Sequence, residues 1–307
     1  MSRIPCPARW CSPVDCIRLA GADARRFLHG QSSQAIEQAT PGSCVATCLI
    51  SPTARMRGLA LVLVEEQHLE LVLLSADAAA IHRSLDQVLF PMDQVELGAP
   101  QPASLVRFSG EPGGAPGEGT WLQPGVDLGA GIGQPALLLR GSAAMPAWLE
   151  ALPALTTEQA ELQRIRQGLP RVPNEANDST NPFELGLARW VSLTKGCYVG
   201  QETLAKLATY DGVKQQLRHW RCLGPAAPLS PGTPLTTAAG ARAGTITSST
   251  STGLESGAGA EGLALVRRSA LDQATLLAKG GAELSISTPP AFVAPPVGAG
   301  GQASVQD

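Results

Sequence analysis

Apolar and polar residues alternate over residues 14–21 (VDCIRLAG), which predicts a strand with one covered face. ADARRFLHG follows with helical spacing and ends on Gly30, so Phe27 and Leu28 are expected to face a core and Arg25 and Arg26 the solvent. Two nearly continuous apolar runs, CVATCLI (44–50) and GLALVLV (58–64), predict buried strands joined by SPTARMR. HLELVLL (68–74) pairs with the second of them through the hairpin-length link Glu65–Gln67. Ile81, Leu85, Val88 and Leu89 then mark one face of a helix stopped by Pro91, with His82 on its polar side. Strands near 104–108 and 136–140 and a short helix around 146–151 complete two βαβ-like halves, the pattern of a split βαβ, ferredoxin-like subdomain. SGEPGGAPGEG (109–119) between them reads as a flexible surface loop.

In the second half, Thr156 and Gln159 fit a capping box, Leu162, Ile165 and Leu169 form one face, and Gly168 with Pro170 ends the helix. Beyond residue 211, LRHWRCL, AGTITSS, EGLALVRR and LSIS are short strands between Gly- and Pro-rich turns, which suggests a small antiparallel barrel. From about residue 289 the composition predicts disorder. The fold class is therefore α+β.

A chain of 307 residues can bury a large core and divides into subdomains. Its net charge of −3, without a long basic run, argues against nucleic acid as a partner. No apolar stretch approaches the roughly 18 residues of a membrane span, and prolines interrupt the N-terminus where a signal peptide needs an apolar core, so a cytoplasmic protein is expected, with no membrane partner. Seven cysteines, an odd number, make a disulfide framework improbable. Cys6, Cys11 and Cys16, and the pair Cys44 and Cys48, match neither zinc nor ferredoxin spacing, so no permanently bound metal is expected.

The stretch that concentrates chemistry is KGCYVGQE, Lys195 to Glu202. A free thiol with a pKa of about 8.5 is only a few per cent thiolate at pH 7. Lys195 puts a cation two residues from Cys197, and Gly196 and Gly200 let backbone N–H groups come close. ETLAKLATY continues as a short helix, with Glu202 and Lys206 one turn apart, so Cys197 falls just before a helix N-terminus. A small buried hydrophobe on a tight turn is the alternative.

KGCYVGQE resembles the signature of the YgfZ family, folate-binding proteins linked to iron–sulfur cluster maintenance and related to glycine-cleavage T-protein aminomethyltransferases. GADARRFLHGQ resembles that family's N-terminal motif, closed by Gln31, and IRQGLPRVPNE with NPFELGLARW resembles its entry into the signature. The resemblance implies three subdomains around a central folate-sized cavity: a folate-binding region of two intertwined α+β subdomains over 1–212, a barrel over 213–288 and a tail over 289–307. It implies a monomer that binds tetrahydrofolate or a derivative and supports assembly or repair of clusters in client proteins, such as radical enzymes that modify tRNA. Cys197 would be the reactive group and Lys195 its activator, while Tyr198, Gln201, Glu184, Arg55 and Gln31 would shape the cofactor site. Glu175 is the alternative to Glu184 as the carboxylate for a pterin.

Two departures stand out. Where the aminomethyltransferases carry their catalytic aspartate this chain has Gly58 and Leu59, and no acidic residue occurs between Glu37 and Glu65. Where some family members carry tryptophans that stack on a pterin it has Val14 and Ala160. A tetrahydrofolate-dependent aminomethyl or methyl transferase, and a scaffold without thiol chemistry, are the alternatives.

Overall fold

The computed structural model describes residues 5–111, 113–122, 136–222, 228–252 and 259–298. The chain forms two compact units, one of residues 5–155 with 189–201 and one of residues 156–188 with the chain from 202 onward.

The first unit contains β1 (Arg9–Ala20), α1 (Ala24–Gln31), β2 (Cys44–Ile50), β3 (Met56–Val64), β4 (His68–Ala76), α2 (Ala78–Asp86), β5 (Glu96–Leu97), β6 (Gln101–Phe108), β7 (Thr120–Leu122), β8 (Ala136–Arg140) and α3 (Ala147–Glu150). Its strands make one sheet in the order β2-β3-β4-β1-β6-β8-β7, with β5 paired to β1, and every pairing is antiparallel. Side chains on one face of β1, β3 and β4, among them Ile17, Leu19, Val62, Leu69 and Leu71, pack against Leu28 of α1 and Ile81 and Leu85 of α2. The link from Val64 to His68 has the length the sequence predicts.

Two expectations change here. The second helix ends at Asp86, not beside Pro91: Leu89 N–H donates to the Asp86 carbonyl and Phe90 N–H to the Asp93 carboxylate, so the chain turns before proline forces it to, and Val88 lies exposed. Arg25 is not on a solvated side, because its guanidinium donates to the carbonyls of Ala39 and Glu65.

The second unit contains α4 (Thr157–Gln167), most of α5 (Gln201–Thr209), and β9 (Gln215–Cys222), β10 (Pro234–Thr236), β11 (Arg242–Ser251), β12 (Ala260–Arg267), β13 (Thr275–Ala278) and β14 (Glu283–Ser287). The Thr156–Gln159 capping box forms in both directions, and Gly168 ends α4 in the left-handed region at φ 78°. The six strands close into a barrel in the order β10-β11-β12-β9-β14-β13. Trp220, Leu235, Ile246, Val266, Leu276 and Leu284 fill it. Gly262 is obligatory beside that core: a Cβ there would lie 1.9 Å from the Ser248 carbonyl oxygen and 2.5 Å from the Trp220 ring.

The tail departs from the expected disorder. Ala291 N–H donates to the Gln167 carbonyl and Val293 N–H to that of Gly186, and the Phe292 ring receives the Arg218 guanidinium 4.9 Å from its centroid. Apolar residues spaced through PPAFVAPPV give the segment 289–298 a surface to bury, which the Pro and Gly content obscured. Residues 299–307 lie outside the described part.

Candidate functional site

The signature loop is held in the first unit by a small number of buried contacts. Ser33, fully buried after α1, accepts from Cys48 N–H at 2.9 Å and donates to the Trp190 carbonyl at 2.7 Å, while its own carbonyl accepts from Ser192 N–H. One serine therefore ties β2 to the segment that enters the signature. Lys195 comes next. Its ammonium donates to the carbonyls of His29, Ser32 (2.8 Å) and Gln34 (2.9 Å), carbonyls left open where α1 ends, and lies 4.5 Å above the Tyr198 ring. Burial pulls this ammonium down to about 7, with Glu37 opposing.

Beyond Cys197, Val199 N–H donates to the Gly30 carbonyl at 3.0 Å. Gly200 has φ 81° and touches the 51–55 loop so closely that a Cβ would sit 2.7 Å from the Ser51 carbonyl oxygen. That loop is itself tight: Arg55 N–H bonds Ser51 Oγ, and Ala54 takes φ 58°, a conformation glycine would adopt more easily. Gln201 closes the turn, donating its N–H to the Tyr198 carbonyl and its Nε2 to the Lys195 carbonyl. Between these fixed points Cys197 is exposed.

The end of α1, which carries Gln31, and the 51–55 loop, which carries Arg55, thus each meet the 195–201 turn, through Gly30 and through Ser51 and Ala54. Glu184 belongs to the other unit, 6 % exposed, with its carboxylate accepting from Asn181 N–H. Glu175 is fully buried and bound by Ser248 Oγ (2.6 Å), Arg171 N–H (3.0 Å) and Arg164 (3.2 Å). Tyr198 is buried, its hydroxyl has no partner among the described residues, and burial pushes its phenol well up.

Sequence reasoning passed over His29. It is 5 % exposed, Glu37 N–H donates to its Nδ1 at 3.2 Å, and its Nε2 lies 3.5 Å from where a Cβ on Gly196 would be. The signal was its place between Leu28 and Gly30 in the N-terminal motif, where only Gln31 drew notice.

The other cysteines have a different character. Burial pushes the thiols of Cys16 and Cys44 up to about 12, and that of Cys48 higher still. Among the described residues no group of three His, Cys, Asp or Glu side chains could hold a metal ion. Alkylation of the native protein should label Cys6, Cys11 and Cys197, and reach Cys16, Cys44, Cys48 and Cys222 only after unfolding. Peptide mass mapping checks this, and native labelling of Cys48 would mean that β2 opens.

Gly58 leaves no room for an acid at the start of β3, since a Cβ there would be 2.7 Å from Ala76 Cβ, and Leu59 beside it is 2 % exposed.

Residues 221–293 match the family described as CAF17, C-terminal beta-barrel domain. An Arabidopsis thaliana protein named "Putative transferase At1g60990, chloroplastic" is 29 % identical over 287 residues, covering 83 % of this chain and 63 % of its own length. The chain thus spans somewhat less than two thirds of that relative. The glycine cleavage system aminomethyltransferase T from Bartonella henselae superposes with a TM-score of 0.73 at 16 % identity, over 95 % of this chain and 88 % of the other. The chain accordingly has the fold of aminomethyltransferase T, and its β-barrel matches the CAF17 C-terminal domain over residues 221–293.

Proposed function

We propose that this is a folate-binding accessory protein that supports assembly or repair of iron–sulfur clusters in client enzymes through the thiol of Cys197. The observation that carries this is an exposed cysteine on a turn fixed on one side by Lys195 and on the other by Val199 and Gly200. A merely structural cysteine has no need of such support, and the other cysteines of the strands are mostly buried. Lys195 fixes the turn by anchoring it to the carbonyls at the end of α1.

The residues present fit the polar edge of a pterin better than its face. The Gln31 amide is half-buried without a hydrogen-bond partner among the described residues, and it offers both donor and acceptor. Gln31, Arg55 and Gln201 would hold that edge. Tyr198 and Trp190 offer no stacking face, since Lys195 covers the first ring and the second residue is 2 % exposed. A bound reduced folate would supply a one-carbon carrier. Reduced folate and cluster-carrying or cluster-assembling proteins are the partners this implies.

Cys197→Ser is expected to leave the fold intact and to lower, several-fold, the activity of cluster-dependent enzymes such as tRNA-modifying radical enzymes in cells that depend on this protein. Unchanged client activity at equal protein level would refute the thiol's role and leave a binding scaffold.

A second reading, transfer of a one-carbon unit to or from tetrahydrofolate, is favoured by the name of the Arabidopsis relative. The contact of Gly58 with Ala76 weighs against it, because aminomethyl transfer needs a group that assists proton transfer at the substrate amine. Formation of methylene-tetrahydrofolate from an aminomethyl donor would revive it.

A further inference from the structure

His29 and Gly196 carry an inference that rests on the reactive-thiol reading above and deepens it. Glu37 N–H donates to His29 Nδ1, so that nitrogen is the acceptor and the ring proton is on Nε2. Burial first, and the Lys195 ammonium second, lower the imidazole's proton affinity, with Glu37 opposing, so the ring is neutral at pH 7. Lys195 and Glu37 are the charged groups that act on it. The Nε2–H has no hydrogen-bond partner among the described residues, although the residue is nineteen-twentieths buried.

Nε2 lies 3.5 Å from where a Cβ on Gly196 would stand, and Gly196 is exposed and carries no side chain to cover it. The missing Cβ opens a window from the surface to Nε2, and Cys197 is the next residue along the chain. A metal-ligand role does not suit this nitrogen, since a ligating Nε2 must be free of its proton. A donor role does.

We propose that His29 is a positioning residue whose Nε2–H, reached through the gap at Gly196, donates a hydrogen bond to the sulfur of Cys197 or to an acceptor atom of a group bound on it. A neutral donor beside a sulfur favours its anionic form without adding charge.

The test uses the full chain with Cys6→Ser and Cys11→Ser, which leaves Cys197 as the exposed thiol, and iodoacetamide as the probe. His29→Phe removes the donor and should slow alkylation at pH 7.5 by roughly three- to tenfold. At about pH 10, where thiolate formation no longer limits the rate, the variants should converge. His29→Gln keeps an N–H and should recover most of the rate. Gly196→Val leaves His29 in place but covers Nε2, and should be slow as well. Circular dichroism and the alkylation of Cys48 report any loss of fold.

A His29→Phe variant as fast as the parent at pH 7.5, or a His29→Gln variant as slow as His29→Phe, overturns the proposal. Client-enzyme assays read the wider function separately. If His29→Phe slows alkylation while Cys197→Ser is silent in those assays, the hydrogen bond stands and the cluster role falls.

Discussion

Glu261→Ala is expected to lower the unfolding free energy by about 3 kcal/mol. Glu261 is fully buried on β12, directly opposite Arg221 on β9. It accepts from Arg166 of α4 through both oxygens at 2.9 Å, from Arg221 at 2.6 and 3.0 Å, and pairs with His219 Nε2 at 3.2 Å. The carboxylate is therefore the pin between α4 and the barrel wall. Breaking a buried pair leaves its cations uncompensated, at about 3–5 kcal/mol. The lower end applies here, because the Arg166 and Arg221 side chains are 39 % and 48 % exposed and can turn to water.

The sign of the pH dependence follows from the same contacts. Burial works to raise the Glu261 carboxyl, but hydrogen bonds from His219, Arg166 and Arg221 outweigh it and hold it far below the usual carboxylate range. Its contribution is thus complete above the unfolded value of about 4.3 and is lost as pH falls toward the depressed folded value. Glu261→Gln has the same shape and no such titration, so the stability gap between parent and Glu261→Gln should narrow from about pH 5 to pH 2. Urea denaturation at a series of pH values measures it. A gap that stays constant over that range would mean that the charge is not what joins α4 to the barrel.

What the sequence disclosed about this protein was mostly local. The Thr156–Gln159 box and the Gly168 cap are set by residues within one turn of each other, and both form as spacing predicts. The apolar runs of β2 and β3 are legible because strands buried on both faces need no alternation. Non-local features were hidden. The strands β10 and β13, three and four residues long, exist because a barrel must close, and PLT or TLLA alone carries too little pattern to announce a strand. Arg25 looks like a solvated helix residue until Ala39 and Glu65 bring their carbonyls to it.

The site divides in the same way. Cys197 is singled out by its own octapeptide and is exposed, whereas Ser33 and His29 come into view only once α1 and the signature, more than 150 residues apart, are folded together. Lys195 is read from the sequence as the activator of the thiol, whereas its ammonium is engaged by the carbonyls at the end of α1, a partner no spacing rule reveals.

Gly200→Ala is the other substitution expected to do serious damage, at about 2–5 kcal/mol. Two penalties add. A non-glycine residue at φ 81° costs about 1–2 kcal/mol, and overpacking a close-fitted site costs about 1–3 kcal/mol more. The second applies because the nearest atom to the new Cβ is the Ser51 carbonyl oxygen at 2.7 Å, with Ile50 Cδ1 at 2.9 Å and Ala54 Cα at 3.3 Å. Two of the three are backbone and cannot rotate away. Gly42 separates the penalties, since it has φ 84° and nothing within 4 Å of its would-be Cβ, so Gly42→Ala carries only the first. Chemical denaturation of the two variants should show Gly200→Ala the less stable by the steric share. Alkylation of Cys48 should also be faster in Gly200→Ala, because displacement of the 51–55 loop frees the end of β2 that Ser33 holds. Equal losses in the two variants would mean that the signature does not press on that loop, and the rigid presentation of Cys197 would then lose its physical basis.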